Sequence, residues 1–277
     1  MDAQLTSRIN KGKNAVQKDF PFQTGLYKDK NSNTDPYCSA SIISPLYLLT
    51  AGHCLVDNDQ TRAKVYALVE SQTEGKIPSK KILLHEKYYA SKSEDKAGFI
   101  LNDIGLVYLS EAIFFNSLYR PICIHDAAMS QDEIQDQDLI VAGYGGESKL
   151  KHATFNLQDK AHCEGSHGIQ ANGMKFENDT LIEDAWENKF CASSPSTEDS
   201  TSHGVATCKG DSGAPLMVKL NEWILGKLTV KYSLVGIVSA GPKDCSEKAL
   251  PTIFTELFSY SDWIERTINK GTPQQSI

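Results

Sequence analysis

The chain has 277 residues, 40% of them hydrophobic and 23% charged, an ordinary globular balance in a length that holds one large β domain or two smaller ones. Lys plus Arg number 28 against 35 Asp plus Glu, a formal net charge of −7. That balance argues against nucleic acid or an anionic membrane as the main partner, because both select clustered positive charge, and no apolar run is long enough to span a bilayer.

In chain order, Met1 to Arg8 lack an apolar core and do not read as a signal peptide, so the targeting segment of a secreted protein would lie outside this sequence. Short runs rich in Val, Ile, Leu and Tyr follow: SIISPLYLLT (41–50), KVYALVE (64–70), IGLVYL (104–109) and YSLVGIVSA (232–240). Clusters of Gly, Asn, Asp and Ser separate them, a pattern that predicts an all-β sandwich or barrel. The polar stretches at 91–98 and 194–204 predict surface loops. A helix is expected at about 260–269, where Trp263, Ile264 and Ile268 share a face and Asp262, Glu265 and Arg266 turn outward. Residues 270–277 read as a disordered tail, and no internal repeat is visible.

Seven cysteines, Cys38, Cys54, Cys123, Cys163, Cys191, Cys208 and Cys245, contain no close CxxC pair of the kind that binds zinc. Wide spacing in a chain this long reads as disulfides formed in an oxidising, extracellular compartment. Spacing alone leaves the pairing open, and the odd count predicts a free thiol or a bridge to another chain. The sequon Asn178-Asp179-Thr180 is compatible with secretion. Glu70 and Glu74 have a spacing that a calcium loop could use, but a solvated loop accounts for them better, and no metal is expected.

Three segments place a reactive side chain in a shaped setting. In TAGHC (50–54), His53 stands among small residues beside a cysteine; a lone histidine so placed is more often structural than catalytic. In NDIGLVYL (102–109), Asp103 precedes an alternating strand, so its carboxylate needs a hydrogen-bonding partner if buried. In CKGDSGAPL (208–216), Ser212 is flanked by Gly210 and Gly213, which let the backbone turn tightly and aim N–H groups at one point. The order His, Asp, Ser is far more specific than any one of the three.

Together with INKGKNA, RPICI, VAGYG, KFCA, IVSAG and the helical end, these segments make the chain resemble the chymotrypsin-like (trypsin family) serine proteases from about Ile9 to Thr267. That resemblance implies two antiparallel six-stranded β-barrels with the active site between them, a first barrel at about 23–123, a second at about 124–258, and a C-terminal helix. It implies that Ser212 attacks the scissile carbonyl, His53 acts as base and then acid, and Asp103 orients His53. Gly210 and Ser212 would supply the oxyanion-hole N–H groups, Ser239 would support Asp103, and no cofactor is needed.

Arg8-Ile9 resembles an activation junction: cleavage there would free the Ile9 amino group to insert beside Asp211, and residues 1–8 would be the remnant of a propeptide. The resemblance pairs Cys38 with Cys54, Cys163 with Cys191 and Cys208 with Cys245. It leaves Cys123 for a light chain lost from a longer, modular precursor. A further bridge common in the family is missing, with Leu139 and Val218 in its place. Ala206, six residues before Ser212, falls at the floor of the specificity pocket, where an aspartate would select Lys or Arg. Gly241 and Thr252 match its walls, and Ala240 replaces a common tryptophan, so a medium apolar P1 residue is expected.

Such an enzyme would not readily cut its own Arg8–Ile9 bond and would need a trypsin-like activator upstream. The long 163–191 loop and unpaired Cys123 favour a regulatory cascade, as in arthropod haemolymph or complement-type proteases, over digestion. The expected partners are a protein substrate such as a downstream zymogen, and protein inhibitors. The rival readings are a digestive enzyme and a non-catalytic homologue acting as a binding cofactor; the latter usually lacks one of the three catalytic residues, all of which are present.

Overall fold

Strand periodicity is plainest in Lys151–Leu157, where every second side chain is buried. Twelve strands, six in each, form two barrels, with several two-residue strands beside them. The computed structural model describes residues 9, 12–31, 34–57, 60–62, 64–69, 75–90, 100–124, 134–135, 137–145, 149–167, 174–175, 181–182, 186–195, 205–224, 226–241 and 250–271. Arg8, Glu70, Glu74, Asn178, Cys245 and the polar segments 91–98 and 196–204 lie outside them, as do residues 272–277.

The first barrel holds β1 (Gln23–Tyr27), β2 (Cys38–Ile42), β3 (Tyr47–Thr50), β4 (Tyr66–Leu68), β5 (Lys76–Leu84) and β6 (Gly105–Leu109). They pair antiparallel in the closed order β1-β2-β3-β6-β5-β4. The second holds β7 (Leu139–Gly143), β8 (Lys151–Leu157), β9 (Lys189–Ser193), β10 (Pro215–Ile224), β11 (Lys227–Ala240) and β12 (Thr252–Glu256). Its closed order is β7-β8-β9-β12-β11-β10, so each strand takes the place of the strand six before it. The connectivity repeats although the sequence does not, because burial asks only for apolar residues at alternate positions. Closure leaves neither barrel an unpaired edge.

Each barrel has its own core, with Leu26, Ile42, Leu48 and Val107 in the first and Val141, Phe155, Leu216 and Phe254 in the second. A third cluster joins them through Phe20, Tyr47, Leu106, Met217, Ile237, Trp263 and Ile264. The last two come from helix α2 (Ser261–Gly271), which is pinned to the first barrel by Trp263 Nε1 donating to Glu86 Oε2 at 2.9 Å.

Four features go beyond the sequence reading. The run 41–50 is not one strand: Ser44 Oγ accepts from the Tyr47 N–H at 3.1 Å and the Ser-Pro pair turns the chain between β2 and β3. The final helix runs on through Lys270 and Gly271, two positions assigned to the tail. A helix, α1 (Lys160–His167), was not anticipated; of its side chains Cys163 alone is buried, too few to print a helical period. Its start is still marked, since Asp159 Oδ1 accepts from the His162 N–H at 2.7 Å. Finally, the chain leaving the first barrel reaches the second at Cys123–Ile124, which pairs in parallel with Ser233–Leu234 of β11.

Candidate active site

The site forms where the two barrels meet. His53 lies in a single 3₁₀ turn, Gly52–Leu55, directly after β3, and the Cys38–Cys54 disulfide ties that turn to β2. Asp103 stands two residues ahead of β6, after Asn102, whose backbone sits at φ +47° and whose side chain is fixed at both ends. Asn102 Nδ2 donates to the Lys87 carbonyl at 2.8 Å, and Tyr260 OH donates to Asn102 Oδ1 at 3.0 Å. This rigid corner places a wholly buried carboxylate.

Asp103 Oδ1 accepts from the His53 main-chain N–H at 2.8 Å, and Oδ2 meets His53 Nδ1 at 2.8 Å. Ser239 Oγ on β11 donates to the same Oδ2 at 2.6 Å, while Thr255 Oγ1 on β12 donates to the Asp103 carbonyl at 3.0 Å. Two strands of the second barrel therefore hold an aspartate of the first. An ionised carboxylate only accepts, so Nδ1 carries the proton and Nε2 is left to take one. Burial of the imidazole works against its protonation, but the charge and hydrogen bond of Asp103 outweigh it and hold the ring above its ordinary range. Burial likewise pushes Asp103 up, and the His53 charge, the His53 bonds and Ser239 outweigh it, keeping the carboxyl below its usual range. The ring remains partly open, with 26% of its side chain exposed.

Ser212 sits in a turn that only glycine permits on both sides, Gly210 at φ +99° and Gly213 at φ +79°. A Cβ on Gly213 would strike Thr50 Oγ1 and the Ser39 carbonyl. The first barrel grips this turn: the Ser39 N–H donates to the Ser212 carbonyl at 2.8 Å and Ser39 Oγ to the Gly210 carbonyl at 3.2 Å. Thr50 Oγ1 in turn holds the Ser39 carbonyl at 2.7 Å. The Cys54 sulfur lies 3.7 Å from the Ser212 carbonyl oxygen and 3.9 Å from His53 Nε2, so serine turn and imidazole flank one disulfide. The Ser212 hydroxyl makes no hydrogen bond among the described residues; such contacts commonly tighten only when substrate binds. Cys38, His53 and Cys54 also group as metal-ligand types, but the two sulfurs are bonded to each other and offer no thiolate.

Asp211 is buried, its oxygens accepting from the Gly145 and Cys208 N–H groups, each at 2.8 Å. Burial raises it to about 7 against those two bonds and the Lys151 charge, which pull it down. Ile9 is fully buried in the second-barrel core. At the expected pocket, Ala206 is buried and Thr207 Oγ1 bonds Thr252 Oγ1 at 2.8 Å, while a Cβ on Gly241 would come within 2.5 Å of Thr207 Oγ1. Leu139 and Val218 stand opposite each other on β7 and β10, both buried. Cys163 is bonded to Cys191, Cys208 is disulfide-bonded, and Cys123 is an exposed free thiol. Sequence reasoning gave no role to Ser39, Thr207 and Thr255, nor to Thr50 within TAGHC: small hydroxyl residues that matter through neighbours distant in sequence.

The sequence profile of the trypsin family matches residues 9–264, and the chain belongs to that family of serine endopeptidases. It is 28% identical to serine protease ea of Drosophila melanogaster, over 95% of this chain and 68% of that protein. It is also 28% identical to the phenoloxidase-activating enzyme of Bombyx mori, over 96% and 62%, and to the Spaetzle-processing enzyme of Drosophila melanogaster, over 95% and 67%. The chain thus spans about two thirds of the length of these curated relatives.

Proposed function

We propose that the chain, once cut after Arg8, hydrolyses peptide bonds through an acyl-enzyme on Ser212. His53 Nε2 takes the serine proton and returns it to the leaving amine, Asp103 holds the imidazole and balances its charge, and the Gly210 and Ser212 N–H groups receive the oxyanion. The observation that carries this reading is the buried Asp103 carboxylate spanning His53 and Ser239, a constellation with a fixed tautomer and one open imidazole nitrogen.

The pocket favours a medium apolar P1 residue. Ala206 brings no charge, and an unpaired basic side chain buried there would cost several kcal/mol. The Thr207–Thr252 bond narrows the space further. Basic P1 selectivity being disfavoured, cleavage after Arg8 falls to a separate trypsin-like protease, and the freed Ile9 amino group then supplies charge to Asp211. Relatives whose names describe the activation or processing of other proteins support a place in an extracellular proteolytic cascade. Its substrate there would be a protein such as a downstream zymogen, its control a protein inhibitor. The exposed Cys123 suits a disulfide to an N-terminal light chain.

A P1-varied peptide library tests this. Chain cut with trypsin and freed of it is assayed beside the cut Ser212→Ala variant. Cleavage after apolar residues with a silent control supports the reading; an Arg optimum overturns the pocket argument, and a silent cut chain overturns the peptidase assignment in favour of a binding homologue.

A further inference from the structure

The second barrel carries a cavity of about 220 Å³ whose walls come from segments distant in sequence. Trp186 precedes β9, Phe190 lies within it, and Phe258 opens the 3₁₀ turn Phe258–Tyr260 after β12. Trp186 and Phe190 are buried, and the Cys163–Cys191 disulfide fastens α1 to β9 at one wall. Glu256, the last residue of β12, lines this aromatic space and is only 7% exposed. Acidic side chains are almost never so buried without a partner. Here Ser259 Oγ donates to Glu256 Oε2 at 3.1 Å, and among the described residues no other hydrogen bond and no cation meets the carboxyl. Ala206, Gly241 and Thr252 are not among the described residues that line the cavity. Thr255, whose hydroxyl holds the Asp103 carbonyl, leaves β12 on the opposite face from Glu256. The cavity is therefore distinct from both the expected P1 pocket and the catalytic cleft.

A carboxylate walled by Trp and Phe rings selects an organic cation, because the charge pairs with the acid while the ring faces attract a weakly hydrated guanidinium or an ammonium. A metal ion is a poorer fit, since one carboxylate supplies too few oxygen ligands. Burial raises Glu256 to about 7 against the Ser259 bond, and a cation seated on the carboxylate relieves that cost. Lys160 and Lys189 line the same cavity but are more exposed than Glu256, which puts them nearer its mouth. Each already has an interaction of its own, yet an ammonium carries three donors. They oppose a ligand that is cationic throughout and favour one that ends in an anion. We propose that this cavity binds an ω-cationic carboxylate, its guanidinium or ammonium on Glu256 and its carboxylate at Lys160 and Lys189. Two sources share that chemistry: a chain that ends in arginine or lysine, and a free guanidino or amino acid. The first would tie the site to the cascade reading above, and to that extent rests on it: every cut by a trypsin-like activator, the one after Arg8 included, leaves such an end.

The test measures binding of Nα-acetylarginine to the full chain by calorimetry, at a pH about one unit above the Glu256 range. Saturable binding is expected, weakened about tenfold or more in Glu256→Gln. Agmatine, which has the guanidinium but no carboxylate, should bind about threefold or more weakly than acetylarginine, and the double variant Lys160→Gln, Lys189→Gln should erase that difference. Phe258→Ala, which opens the aromatic wall, is the second variant if Glu256→Gln does not fold. No binding to the parent chain, or equal binding in Glu256→Gln, overturns the proposal. Acetylleucine binding as well as acetylarginine would reduce the site to two lysines holding an anion, and overturns it too. A short peptide ending in arginine separates the sources. If it binds as acetylarginine does, the ligand is the end of a cut chain; if only the small molecules bind, it is a free guanidino acid, and both results support the site. Because binding is read without hydrolysis, its failure leaves the Ser212 assignment untouched, and a chain that binds but never cleaves would fault that assignment alone.

Discussion

Replacing Asp103 with Asn removes one charge at nearly constant volume and tests the geometry around His53. The carboxylate accepts three hydrogen bonds, from the His53 N–H, His53 Nδ1 and Ser239 Oγ. An amide offers one oxygen and two donors, so it cannot accept all three. If its NH₂ faces Nδ1, the imidazole must carry its proton on Nε2, the nitrogen that has to accept from Ser212. The wrong tautomer in this constellation costs about 10⁴ in kcat, or about 5 kcal/mol of barrier. The pH profile adds a second readout. Asp103 holds His53 above its ordinary range against burial, so in Asp103→Asn burial acts alone and the acid limb of kcat/KM moves to lower pH. Initial rates on a peptide anilide from about pH 5 to 9, normalised to folded protein, read both effects. A loss below about tenfold with an unmoved acid limb would refute the argument.

Further outcomes follow from single contacts. Gly213→Ala forces a Cβ at φ +79° against Thr50 Oγ1 and the Ser39 carbonyl, which should cost about 2–3 kcal/mol and lower Tm by on the order of 5 °C, with activity lost; an unchanged melt would show that the turn relaxes freely. Thr252→Gly removes the hydroxyl that bonds Thr207 and should shift P1 selectivity about tenfold from medium aliphatic toward Phe, whereas an unchanged Phe-to-Leu ratio would place that pocket wall elsewhere. Glu256 lines a cavity of about 220 Å³ with Trp186, Phe190 and Phe258, and burial raises it to about 7 from 4.5. The folded chain therefore holds this proton after the unfolded chain has lost it, and the contribution falls as pH rises from about 4.5 to about 7. Glu256→Gln should match the parent below that window and exceed it above by about 1–2 kcal/mol in chemical unfolding; equal stability at pH 8 would exclude this linkage.

The reactive residues were legible because the chemistry fixes their immediate neighbours: Ser212 needs Gly210 and Gly213 for its turn, and that requirement writes a motif into the chain. The all-β class was legible from alternation and turn residues, since strand burial repeats every second position. What escaped depends on contacts between distant segments. Nothing local distinguishes Ser39 from any other serine in a strand, yet it holds the Ser212 and Gly210 carbonyls from the opposite barrel. Thr207 stands beside Ala206 in the sequence, but its bond to Thr252 spans 45 residues. The turn at Ser44-Pro45 was hidden inside an apolar run, and α1 by its single buried side chain.

The central claim is that Ser212 is the nucleophile His53 activates, and covalent labelling addresses it most directly. The cut chain is treated with a fluorophosphonate and digested, and the modified peptide is sequenced by mass spectrometry. The account predicts one adduct per chain, on Ser212, with peptidase activity lost in proportion and labelling strongly slowed in His53→Ala. A folded, cut chain that takes no adduct, or that keeps its peptidase activity in Ser212→Ala, would contradict it.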